Sequence, residues 1–119
     1  MSAMLTGVVA DYVNAVNTHD TDAIVALFAP DAYVNDARRE IVGAAAIRSW
    51  IAKEIVGDNI TMDARKAREH YGEVIVSSRY DGTFDKANLP EDLVLTDYFR
   101  VLDGKIVSLT VILNQPSPY

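Results

Sequence analysis

Tyr12, Asp36 and Asp97 are the side chains whose type and position in the hydropathy pattern suit chemistry best. One is a phenol, two are carboxylic acids, and each falls where its own segment points apolar side chains. Burying a polar group costs free energy unless it is hydrogen-bonded or used. Three of them in so short a chain point to a lined pocket in which protons move.

Asp97 lies in a segment, 94–102, that alternates. Leu95, Phe99 and Val101 share its face, while Val94, Thr96, Tyr98, Arg100 and Leu102 take the other. In an apolar wall its carboxyl loses hydration, so its pKa rises; the acid then stays protonated near neutral pH and donates a hydrogen bond. The plainer reading is an aspartate near a strand end or paired with an arginine. Asp36 closes a short strand beside Ala32 and Val34, where a carboxylate at a cavity edge can serve as general base. The plainer reading there is a turn or capping aspartate, and an arginine folding back from position 38 or 39 would weaken it as a base. Tyr12 is central in an apolar helix stripe, and its hydroxyl must find a partner, either a substrate oxygen, Asp97 or the rim of an ordinary core. Trp50, Phe28, Phe84, Phe99, Leu95 and Leu113 are the apolar candidates for the pocket wall.

Other chemistry is poorly served. His19 and His70 stand in turn-like segments with no metal-ligand spacing between them. Arg79 and Asp81 could meet on one strand face, most simply as a surface ion pair. Ser77-Ser78 has no nucleophile-elbow context and there is no glycine-rich phosphate loop. The absence of cysteine removes thiol nucleophiles, thiolate metal sites and disulfides. No cofactor or metal is expected.

The elements that must hold these groups follow from periodicity. Leu5, Val8, Val9, Tyr12, Val13 and Val16 recur at helical spacing. Asp20 or Thr21 caps a short second helix carrying Ile24, Leu27 and Phe28, which Pro30-Asp31 stops. A strand at 32–36 leads to a polar loop at 37–42. A third helix spans about 43–55, with Ile47, Trp50, Ile51 and Ile55 inward and Gly57 closing it. Strands are expected near 59–69, 73–84, 94–102 and 105–114. Tyr71-Gly72 and Asp103-Gly104 are tight-turn signals, 85–93 is a longer connection, and Pro116 and Pro118 mark a tail. Helices followed by antiparallel strands make an α+β fold in which an amphipathic helix covers one face of a curved sheet and encloses a cavity.

The 119 residues fit a single domain, 1–119, with half of them hydrophobic. Eleven basic against seventeen acidic residues give a net charge of −6, which disfavours nucleic acid. The one basic cluster, Arg65-Lys66-Ala67-Arg68, reads as the solvated face of a strand. No apolar run approaches the ~20 residues of a membrane span. No basic stretch followed by an apolar one marks a signal peptide near Met1, so a cytoplasmic location is expected.

The stretches Val8–Asn17, Asp20–Ala32 and Gly43–Ile47, with Val101–Val107 as a last hairpin, resemble the nuclear transport factor 2-like superfamily. This is the cone-shaped α+β fold of the SnoaL-like polyketide cyclases and ketosteroid isomerases. The resemblance runs over nearly the whole chain and in site residues is nearest to the bacterial ketosteroid isomerases. It implies that Asp36 takes a proton beside a ketone and returns it elsewhere, while Tyr12 and Asp97 hold the dienolate oxygen. The chain departs from that family in a shorter loop after Asp36 carrying Arg38, Arg39 and Glu40, in a longer 85–93 connection, and in Ile51 near the place of a second tyrosine. The expected function is cofactor-free proton transfer, of isomerase or cyclase type, on a small apolar carbonyl compound. A non-catalytic module for a small hydrophobic ligand remains open, as does, at lower rank, an epoxide hydrolase of the limonene type. The superfamily commonly pairs through exposed sheet faces, so a homodimer is expected, with Val94, Thr96, Tyr98, Thr110 and Ile112 as the surface.

Overall fold

The apolar stripe of the first segment forms one side of helix α1, Gly7–Asn17, in a computed structural model that describes residues 5–113. Val9, Tyr12, Val13 and Val16 are buried along it. Thr18 caps the helix end, its hydroxyl donating to the Asn14 and Ala15 carbonyls, and His19 turns the chain through a positive φ of 55°. Asp20 is the residue that caps α2, Thr21–Val25, accepting from the Ala23 amide at 3.1 Å.

Helix α2 ends earlier than the periodicity predicts, and Phe28 begins strand β1, Phe28–Asp36. Leu27 accepts a hydrogen bond from the Ile106 amide and Phe28 pairs beside Ile106, so tertiary pairing claims the two apolar residues that helical spacing assigned to α2. Pro30 and Asp31 lie where the β1 register shifts between Phe28 and Tyr33, a place where a missing amide hydrogen costs little.

The segment expected to be a loop at 37–42 is a hairpin. Ala37 and Arg38 both take positive φ, 53° and 73°, and Arg39–Val42 returns as β2. This is the geometry that twisted two-residue hairpins require, and Asn35 supports it by accepting from the Arg38 amide at 3.0 Å. Asp36 and Arg39 face each other directly across the turn.

Helix α3, Ala44–Trp50, runs on as a single π-helical stretch, Ile51–Val56. Gly57 keeps a helical φ of −60° and so does not end the helix by a left-handed turn. It is needed for space, since a Cβ there would lie 2.2 Å from the Lys53 carbonyl oxygen. Asn59 supplies the positive φ instead.

Strands β3, Thr61–His70, β4, Glu73–Asp81, β5, Val94–Leu102, and β6, Lys105–Leu113, follow the expected order, with tight turns at Tyr71-Gly72 and Asp103-Gly104. Asn114 and the proline tail lie outside the described residues. The sheet order is β2-β1-β6-β5-β4-β3, antiparallel except for the β1–β6 pair. The sheet is curved and unclosed, and with the helices it makes a cone-shaped α+β fold. Val34, Leu109, Phe99, Val76 and Met62 carry its inner face into one core with α1 and α3. No helix among the described residues is long and apolar enough to cross a membrane.

Candidate functional site

Strand register places the two aspartates. Asp36 pairs with Val111, Val111 with Asp97, and Asp97 with Val76. The two acids therefore stand in one row on the inner face of the sheet with one strand between them, their backbones two strand spacings or ~10 Å apart.

Above that row lies a cavity of about 230 Å³ between the helices and the sheet. Tyr12 and Tyr80 bring phenols to it, and Asp36, Glu54 and Asp58 bring carboxylates. Trp50, Ile55 and Ile60 form the helical wall, Leu95, Val111 and Leu113 the sheet wall. Phe84, Leu89 and Leu93 come from the long connection after β4. The lining is mostly apolar with a few polar groups, the composition of a small-molecule site.

Tyr12 is 1% exposed. Phe28 and Phe99 pack edge-on against its ring, at 6.0 and 5.2 Å between centroids. Those two phenylalanines were expected in the pocket wall; they lie behind it, holding the phenol, because Tyr12 itself fills the space between them and the cavity. The Tyr12 hydroxyl makes no hydrogen bond to a described residue, and Tyr12 lines the cavity. Loss of hydration, then the charges of Asp97 and Asp36, hold its pKa well above the ordinary value, so it is a hydrogen-bond donor at every working pH.

Asp97 is fully buried and does not line the cavity. Its carboxyl is covered by Tyr80, whose hydroxyl lies 2.7 and 2.8 Å from the two oxygens. Desolvation pushes the Asp97 pKa up to about 7; the bond from Tyr80 works against that rise and the charge of Asp36 adds to it. The carboxyl belongs to no ion pair among the described residues. Tyr80 is likewise held well above its ordinary pKa, by burial first and by Asp97 second. Tyr80 is a cavity residue that sequence reasoning missed. It shares a strand face with Val74, Val76 and Ser78, so the alternation of β4 marked it as inward, but only the register with β5 brings it to Asp97. A second phenol is present after all, on a different element from the position where Ile51 stands.

Asp36 is held by two donors. Trp50 Nε1 donates to Oδ2 at 3.0 Å and Arg39 Nη2 donates to the same oxygen at 2.7 Å, while Oδ1 accepts no bond from a described residue. The arginine does fold back, because the two-residue hairpin puts both side chains on one face of the sheet. Its guanidinium is shared with Glu54, at 2.8 and 2.7 Å. Trp50 is thus both cavity wall and orienting group for the carboxylate.

The remaining candidates lie elsewhere. His19 donates from Nε2 to the Ile60 carbonyl, and His70 packs on Tyr71. Arg79 and Asp81 engage Asp92 and Lys86 respectively, and neither lines the cavity. Arg65, Lys66 and Arg68 are exposed, with Arg65 paired to Asp92. Among the described residues no cluster of side chains is suited to a metal ion.

Residues 9–109 match the model of the SnoaL-like domain. Among solved structures, a provisionally assigned polyketide cyclase from Sinorhizobium meliloti superposes with a TM-score of 0.79 at 27% identity, over 90% of this chain and 94% of that one. A protein of ketosteroid isomerase-like fold from Catenulispora acidiphila, in complex with trimethylamine, gives 0.77 at 20% identity, over 91% and 85%. The epoxide hydrolase/cyclase-like enzyme SalBIII, of pyran ring formation in the polyether salinomycin, gives 0.74 at 24% identity, over 91% and 88%.

Proposed function

The chain belongs to the SnoaL-like domain family, and from that premise we propose that it transfers a proton on a small apolar carbonyl compound without a cofactor, as an isomerase or a cyclase. The observation that carries this reading is the pairing, inside one apolar cavity, of a carboxylate and a buried phenol, where among the described residues one carboxylate oxygen and the phenol hydroxyl have no partner. Asp36 Oδ1 takes a proton from the carbon next to the carbonyl; the C–H electrons move into the carbonyl, and negative charge gathers on its oxygen. Tyr12 donates to that oxygen. Tyr80 is the second donor, and Asp97 acts through it: when the carboxyl is protonated it can donate to the Tyr80 oxygen, freeing the phenol hydrogen to turn toward the ligand. The proton on Asp36 then returns to a different carbon; in the cyclase case the enolate carbon instead attacks a second carbonyl carbon of the same ligand, whose C=O π electrons move to its oxygen, and that oxygen takes the proton from Asp36. Fixed donors in a water-poor cavity stabilise such a charge far better than water does.

Binding of 2-naphthol, whose phenolate mimics an enolate oxygen on a planar apolar frame, tests this. Tyr12→Phe removes a hydroxyl that supports nothing in the fold, so the variant keeps its stability. We expect it to bind naphthol roughly tenfold more weakly, the worth of one good hydrogen bond, and Tyr80→Phe to show a similar loss. Failure of the wild type to bind, or equal binding by wild type and Tyr12→Phe, overturns the reading. Binding without ketone turnover favours the non-catalytic ligand module instead.

The homodimer belongs with this proposal. On the outer face of β5 and β6, Tyr98 and Thr110 are half-buried and Ile112 is 49% exposed, whereas Thr96, expected on that surface, is buried and hydrogen-bonded to Ser77. Light scattering should return twice the chain mass for wild type and the single-chain mass for Ile112→Asp. A monomeric wild type contradicts it.

A further inference from the structure

We infer that the cavity selects small apolar ligands carrying an oxygen at the deep end and a cationic nitrogen at the mouth, and turns anionic ones away. The placement of the oxygen rests on the proton-transfer reading above; the charge preference stands apart from it.

Exposure grades the polar groups from the floor of the cavity outward. Tyr12 is 1% exposed, the Asp36 side chain 21% and the Glu54 side chain 40%. The deep end therefore offers a neutral donor with no partner among the described residues, and the mouth offers acids. Asp36 comes from the end of β1, Glu54 from the π-helical turns, and Asp58 from the bend that follows them. No lysine, arginine or histidine is among the described residues that line the cavity.

Two nearby cations, Arg39 and Lys86, are taken. Arg39 spans Asp36 and Glu54 with three short hydrogen bonds. Lys86 sits 5.5 Å over the Phe84 ring, but its ammonium is held by Asp81 at 2.6 Å. One arginine against three carboxylates leaves the mouth net negative. Asp58 is the uncommitted acid: its side chain makes no hydrogen bond or ion pair to a described residue, while its backbone carbonyl accepts from the Thr83 amide at 2.7 Å and fixes its place. A carboxylate beside low-dielectric walls acts more strongly on a ligand charge than it would in open water, and the Trp50 and Phe84 rings favour the same sign of charge. A cavity of about 230 Å³ suits one or two rings.

Calorimetric titration with five probes tests the inference. Tyramine, 4-ethylphenol and 3-(4-hydroxyphenyl)propanoate share a phenol and differ in the charge of the tail. Phenethylamine and 3-phenylpropanoate repeat the charged pair without the hydroxyl. At low ionic strength tyramine should bind roughly tenfold more tightly than the hydroxyphenylpropanoate, with ethylphenol between them. Added salt should narrow that ratio. Asp58→Asn, which keeps the backbone bond to Thr83, should reduce it to about threefold, and Asp58→Lys should abolish or reverse it.

If phenethylamine outbinds phenylpropanoate but the hydroxyl adds nothing, the charge preference holds and the oxyanion reading falls. If the phenols bind regardless of tail charge, the oxyanion reading holds and this inference falls. A ratio unchanged in both Asp58 variants overturns it, as does a failure of all five probes to bind.

Discussion

Asp36→Asn is expected to slow proton exchange at the α-carbon of a small bicyclic ketone by roughly 10²–10⁴-fold, the usual worth of a positioned general base. The variant isolates basicity from geometry. An amide oxygen at the Oδ2 position still accepts from Trp50 Nε1 and Arg39 Nη2, so the side chain keeps its place while losing its capacity to take a proton. Deuterium uptake by 2-tetralone, followed by NMR against a buffer blank, reads the step directly. Naphthol affinity should change little, because in the proposed site Tyr12 and Tyr80, not Asp36, donate to the naphthol oxygen. Exchange that survives in Asp36→Asn removes Asp36 from the role of base. Absence of exchange in the wild type removes the catalytic reading and leaves a binding cavity.

The second large effect is on stability, and its sign follows from the direction of the Asp97 shift. Burial raises this carboxyl from 3.8 to about 7. Between those values the folded chain holds a proton that the unfolded chain has released, so stability is present at low pH and is lost as pH rises through the folded value. From pH 5.5 to 8.5 the loss is about 2 kcal/mol, which for a chain of this length lowers Tm by roughly 8 °C. Asp97→Asn is neutral throughout and keeps an acceptor for the Tyr80 hydroxyl. Plotted against pH, the stability difference between the two proteins should move by about 2 kcal/mol in favour of the variant over that range. The difference cancels every contribution common to both proteins. Parallel curves would mean that Asp97 does not carry a buried proton in the folded state. The same proton bears on function: with Asp97 ionised, the Tyr80 hydrogen stays on the carboxylate, so naphthol affinity should fall over the same pH range.

Much of this was legible from residue type and spacing. The α1 stripe, the β5 alternation and the turn signals at Tyr71-Gly72 and Asp103-Gly104 are local patterns, and local patterns fix which residues face inward. That is why Tyr12, Asp36 and Asp97 could be singled out as polar groups on apolar faces, and why a raised pKa for Asp97 could be expected from its neighbours alone. The β1 strand was read short and α2 long for the opposite reason. Leu27 and Phe28 fit a helical stripe equally well, and only pairing with Ile106, almost eighty residues away, decides between the two. The hairpin at Ala37-Arg38 carries neither asparagine nor glycine, so nothing local announced it.

The sequence by itself determined the α+β class, the inward faces and two acids and a phenol on them. Tertiary structure alone decided what those groups touch. Strand register put Asp36 and Asp97 in one row, brought Tyr80 over Asp97 and left Asp97 behind the cavity wall; the hairpin placed Arg39 on Asp36. The physical reason is that inward orientation depends on the two-residue period of a single strand, whereas contact depends on register between strands, which the whole core must satisfy at once.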